Sequence, residues 1–153
     1  MSALELKIPP VLVTTVFVML MWLVSQLTPE FPISPKLRIS LMLLFSMAGA
    51  YVGLAGVDAF RKAGTTVNPL TPETSSTLVV SGIFRRTRNP MYLALLLVLI
   101  AWGIYLANLY ALVITTGFIL YMTCFQIKPE ERALEKSFGA EFIDYKETVR
   151  RWI

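Results

Sequence analysis

RRTRNPMYLALLLVLIAWGIYLANLYALVITTGFILYMTCFQIKPEER, the stretch from Arg85 to Arg132, decides how this chain folds. Two apolar runs, 91–107 and 109–127, contain no Asp, Glu, Lys or Arg and are separated by Asn108. Each has nearly the length that crosses a hydrocarbon core of roughly 30 Å as a helix. So short a turn makes an antiparallel helical hairpin, and the outer ends of that hairpin are neighbours. One end carries Arg85, Arg86, Arg88, Asn89 and Tyr92; the other carries Lys128, Glu130, Glu131 and Arg132. A span needs no acidic doublet matched to a basic cluster. Such a pairing suits a charged, zwitterionic ligand held at the membrane surface.

Two further apolar segments precede the hairpin, Val11–Leu27 and Leu37–Phe60. With 56% hydrophobic residues in 153, against roughly 45–50% in soluble domains, the chain reads as one integral-membrane domain. The expected fold is all-α: four transmembrane helices followed by a C-terminal amphipathic helical segment. It divides into an N-terminal helix pair (1–60), a connector (61–90), the hairpin (91–127) and a tail (128–153). Gly64 to Pro69 and Thr71 to Glu73 read as turns within the connector. Gly49 and Gly53 form a small-residue face that admits a second helix, from this chain or from another copy in a homo-oligomer. Asp58, near the end of the second span, needs Arg61 or Lys62 as a partner.

The tail begins as a helix start should. Pro129 occupies the first turn, and Glu130 and Glu131 lie at the positive end of the helix dipole. Leu134 and Phe138, then Phe142, Tyr145, Val149 and Trp152, make one apolar face that lies on the bilayer or folds back over the hairpin. Four spans put both termini and the connector on one side. Arg61, Lys62, Arg85, Arg86 and Arg88 flank the connector, and the hairpin turn has no charge, so that side is expected to be cytosolic.

Composition excludes several chemistries. With no histidine there is no His base, Ser-His triad or His-ligated metal. The single cysteine, Cys124, makes no internal disulfide and no zinc cluster, and it reads as a small buried hydrophobe. The net charge of +4 clusters beside apolar blocks, which marks topology and not nucleic-acid binding. No metal site is expected.

The remaining chemistry lies at the hairpin mouth. An arginine offers a planar fork for carboxylate or phosphate, and the start of a helix adds free N–H groups. A glutamate takes an amino group or ribose hydroxyls. Adjacent helical residues point about 100° apart, so one of Glu130 and Glu131 faces a ligand while the other holds an arginine or the loop.

These residues resemble a known family. Gly82, Arg85, Arg88, Pro90 and Tyr92, an apolar hairpin, then Glu130, Glu131, Leu134, Phe138, Gly139, Tyr145, Arg150 and Arg151 follow the order of the integral-membrane methyltransferases, a group that includes isoprenylcysteine carboxyl methyltransferases and phospholipid N-methyltransferases. The resemblance runs from about Gly64 to the end. It implies S-adenosylmethionine as methyl donor, bound by Gly82, Arg88, Asn89, Pro90, Tyr92, Glu130 and Glu131, with Arg150, Arg151 and Tyr145 orienting substrate. Asn89 stands where the family usually has His, and an amide cannot titrate. Ala94 replaces a Gly, Phe142 a Tyr and Arg150 a Pro. The expected activity is methyl transfer to a lipophilic acceptor drawn from the bilayer, first a carboxylate such as a prenylcysteine-like group, otherwise a phospholipid amine or a small N- or S-acceptor. Two other classes compete: a non-catalytic four-helix scaffold, and a membrane reductase of related C-terminal architecture.

Overall fold

The computed structural model of the chain describes residues 5–64 and 77–153, and every regular element among them is helical. The order is α1 (Pro10–Leu27), α2 (Pro35–Ala63), a 3-10 helix (Gly82–Arg85), α3 (Pro90–Tyr105), α4 (Leu109–Met122), a π-helical segment (Thr123–Ile127), α5 (Lys128–Phe138) and α6 (Ala140–Thr148). Three helical stretches are long and apolar enough to cross a membrane: α1, α2 and the continuous run Leu109–Phe138. The fourth apolar helix, α3, has 16 residues and is about 24 Å long. The outward faces of α1 and α2 are apolar and exposed, with Leu27, Met47, Tyr51 and Leu54 among them, as a bilayer requires.

Local signals set the helix ends. Ser34 accepts the Leu37 amide at the start of α2, and Gly64, at φ 63°, ends it in the left-handed region. Asn108 caps α4 by accepting from the Ala111 amide at 2.9 Å, and its amide nitrogen donates to Thr28 Oγ1 at 2.8 Å. This buried turn therefore satisfies its own polar groups and ties the hairpin to the end of α1.

α2 packs against α3 at close backbone range. A methyl group at Gly49 would stand 3.1 Å from the Ala94 carbonyl oxygen; at Gly53, 3.3 Å from Ala94 Cβ; at Gly56, 3.3 Å from Pro90 Cγ. The glycine face is thus occupied by α3 of the same chain, the first of the two uses its small residues allow. α1 covers α4, with Phe17 edge-on to Phe118 at 5.5 Å, around a core that includes Met21, Leu99 and Met122.

The fourth span does not end where its apolar run ends. Its helix passes through the π-helical segment into α5 without a turn: the Lys128 amide donates to the Thr123 carbonyl five residues back, and Pro129, which has no N–H to give, follows this widened turn. Cys124, expected to be buried, is exposed on this segment. Asp58 pairs with Lys62 at 2.6 Å. The turns expected between 65 and 73 lie outside the described residues.

A second apolar cluster of Ala59, Val79, Phe84, Phe142 and Tyr145 clamps the 3-10 helix between the end of α2 and α6. The C-terminal helices therefore fold back onto the hairpin mouth.

Candidate functional site

The mouth is assembled from the first turn of α3, the first turn of α5 and the last residues of the chain. Pro90 opens α3 and is buried. Just before it, Thr87 is buried and its hydroxyl accepts the Asn89 amide at 3.1 Å. Residues 149–152 then cross this corner as a strap. The Arg88 amide donates to the Arg150 carbonyl at 3.1 Å, and Asn89 Nδ2 donates to the Arg151 carbonyl at 2.9 Å. Trp152 Nε1 reaches Thr123 Oγ1 at 3.3 Å, which fastens the strap to the π-helical segment.

Charged groups lock the same corner. Arg88 Nη1 donates to the carbonyls of Lys146 (2.9 Å) and Val149 (3.0 Å), while Nη2 meets Glu131 Oε1 at 2.7 Å. Arg151 forks onto Glu131 through Nε (3.0 Å to Oε1) and Nη2 (2.8 Å to Oε2). Both oxygens of Glu131 are therefore spent on guanidinium groups. Burial alone would push its carboxyl up, but the hydrogen bonds and charges of Arg151 and Arg88 outweigh this and hold it below the usual carboxylate range. Arg151 is held more firmly protonated by its hydrogen bonds to Glu131, which outweigh its own burial.

Glu130 is in a different state. Its Oε1 accepts a hydrogen bond from the Tyr92 hydroxyl, and among the described residues no arginine pairs with it. Burial pushes its carboxyl up to about 8; the Tyr92 hydrogen bond works against this and the Glu131 charge adds to it. At neutral pH it is mostly a neutral acid, and a cation beside it would ionise it. Arg88 Nε is buried and has no hydrogen-bond partner among the described residues. A buried N–H left over in a network this saturated is a donor available to a ligand acceptor.

Arg88, Asn89, Pro90, Tyr92, Glu130, Glu131 and Arg151 thus meet at one corner. Tyr145 adjoins them, but its hydroxyl is spent on the Phe84 carbonyl at 2.7 Å, and burial pushes its ionisation up. Arg150 contributes its carbonyl, and its side chain is exposed. Gly82 stands apart, in a groove with Asp58, Lys62 and Arg86 against α2. Three contributors were missed from sequence. Thr87 had a weak signal, a polar residue inside a basic run. The Lys146 and Val149 carbonyls had none, because backbone acceptors leave no trace in side-chain identity. Gln126, buried and donating to the Ile8 carbonyl at 2.7 Å, is a polar residue inside an apolar run and could have been flagged.

Comparison with known proteins fits this geometry. The phospholipid methyltransferase family model matches residues 37–141, and the chain belongs to that family. It is also similar to an uncharacterized protein of Haemophilus influenzae, 49% identical over 63 residues, which are 41% of this chain and the whole of the relative.

Proposed function

We propose that this methyltransferase uses S-adenosylmethionine and methylates a lipophilic acceptor that reaches the site from the bilayer. The Glu130–Tyr92 pair, together with an Arg88 Nε that has no partner among the described residues, carries the reading. The donor has an amino group, a carboxylate and ribose hydroxyls. Glu130, free of arginines, takes the amino group and becomes ionised by it. Arg88 Nε and the Asn89 amide offer hydrogen bonds to a carboxylate or hydroxyl. Glu131 holds Arg88 and Arg151 in place and supports the binding groups without being one of them. The residues present fit this donor, whose sulfonium supplies an electrophilic methyl group when bound.

The chain's part is mainly placement. Pro90 and the strap 149–152 fix the corner against α3, and the apolar walls keep water from it. Alignment of donor and acceptor is worth up to roughly 7–11 kcal/mol. A carboxylate acceptor is already ionised at pH 7 and needs no base. A phospholipid amine is the second reading, favoured by the match to the phospholipid methyltransferase family model; such an amine must react in its deprotonated form. We place this mouth, and both termini, on the cytosolic side, where the donor is made. Titration of the detergent-purified protein with S-adenosylmethionine tests the reading, with NADPH as control. Binding of the first alone supports it; binding of NADPH alone favours the reductase, and binding of neither the scaffold. A rate flat in pH near neutrality marks the carboxylate, and a rate rising with pH marks the amine.

A further inference from the structure

A groove of about 420 Å³ lies between the C-terminal half of α2 and the 3-10 helix, and it includes Tyr51, Ala55, Asp58, Lys62, Gly82 and Arg86. It is not an extension of the ionic corner. Tyr51, Ala55 and Asp58 each fall two residues after Gly49, Gly53 and Gly56, which face α3. At 100° per residue the two stripes are roughly 160° apart around α2. The body of that helix therefore stands between the groove and α3.

Charge and position both say what the groove suits. Asp58 is already neutralised by Lys62 at 2.6 Å, and the Lys62 side chain is still 76% exposed. Arg86 is exposed on the opposite wall, so the groove is net cationic. Along the same stripe toward the membrane interior, Tyr51 (70% exposed), Met47 (69%) and Leu44 (60%) are apolar or aromatic and face outward. Tyrosine at such a junction marks the level of the lipid headgroups. An acyl chain lying on Leu44 and Met47 would bring its headgroup past Tyr51 and into the cationic groove.

We propose that this groove is a binding site for the phosphodiester of an anionic glycerophospholipid, separate from the site of methyl transfer. Lys62 and Arg86 take the phosphate oxygens. Gly82, at φ 62°, keeps the floor free of a side chain. The lipid is a bound neighbour of α2 and not the methyl acceptor. Its occupancy stiffens the junction between α2 and the 3-10 helix.

The test uses the whole protein in detergent, titrated with phosphatidylglycerol by native mass spectrometry. Phosphatidylcholine and inorganic phosphate form the other two arms, and S-adenosylmethionine affinity is measured alongside. The wild type should retain phosphatidylglycerol at least tenfold better than phosphatidylcholine. Lys62→Ala with Arg86→Ala should abolish that preference, and Ala55→Leu, which fills the groove without touching a charge, should weaken retention severalfold. Donor affinity should stay unchanged in both variants, so that failure here is separable from failure of the methyltransferase reading. Unchanged retention in both groove variants overturns the proposal. So does equal binding of the two lipids, or inorganic phosphate competing at the lipid's own concentration.

Discussion

Arg88 and Glu131, 43 positions apart in sequence, meet at 2.7 Å and join the start of α3 to the start of α5. Their side chains are only 10% and 14% exposed, so the pair is shielded from water and salt. Arg151 completes it by forking onto the same carboxylate. This three-residue lock holds the chain's last residues against the hairpin mouth and leaves Glu130 outside the guanidinium cluster, hydrogen-bonded to Tyr92.

The lock should be structural first. Glu131→Ala leaves a buried guanidinium without its counter-charge, and removing one partner of such a pair costs about 3–5 kcal/mol. Thermal unfolding in detergent should show a large loss for Glu131→Ala. Arg151→Ala should cost clearly less, because that side chain is 34% exposed and Arg88 still neutralises the glutamate. Equal and negligible losses would mean that the lock is decorative.

Stability should pass through a maximum on the acid side of neutrality. Glu131 has a depressed pKa, so its contribution is present above the ordinary carboxylate value and lost as pH falls through the folded value. Glu130, raised to about 8, works in the opposite sense: the folded state binds its proton more tightly, so stability falls as pH rises from about 5 to 8. Unfolding midpoints measured across pH 2 to 9 should show both limbs, the lower one below the ordinary carboxylate value. Glu130→Gln should flatten the upper limb alone, and Glu131→Gln should weaken the lower one.

The glycine stripe makes a further separation possible. Gly49→Leu places a branched side chain where even a methyl group stands 3.1 Å from the Ala94 carbonyl oxygen. Overpacking of this kind costs about 1–3 kcal/mol. The unfolding midpoint should drop while the mass of the detergent-solubilised particle stays the same. A drop in particle mass with the midpoint preserved would return the face to an oligomer.

Much of this was legible before any coordinates. Apolar run length fixed the helices, and Asn108 alone between two uncharged runs fixed the hairpin, which made Arg88 and Glu131 neighbours. The roles within the mouth were not legible. Glu130 and Glu131 are adjacent and chemically identical, and their different states depend on which oxygens meet guanidinium groups and which meets Tyr92. The use of Gly49 and Gly53 was open for a similar reason: a small-residue face marks a close approach but not whose helix approaches. Cys124 misled because in a membrane an exposed position is also an apolar one, so an apolar run does not imply burial.

Glu130, with Tyr92, is proposed to grip the amino end of the donor while Glu131 holds the lock. Calorimetric titration of S-adenosylmethionine into wild type, Glu130→Gln and Tyr92→Phe tests it most directly. The account predicts at least a tenfold loss of affinity in Glu130→Gln, a smaller loss in Tyr92→Phe, and unfolding midpoints at pH 7 no lower than wild type for Glu130→Gln. Donor affinity unchanged in Glu130→Gln would contradict it.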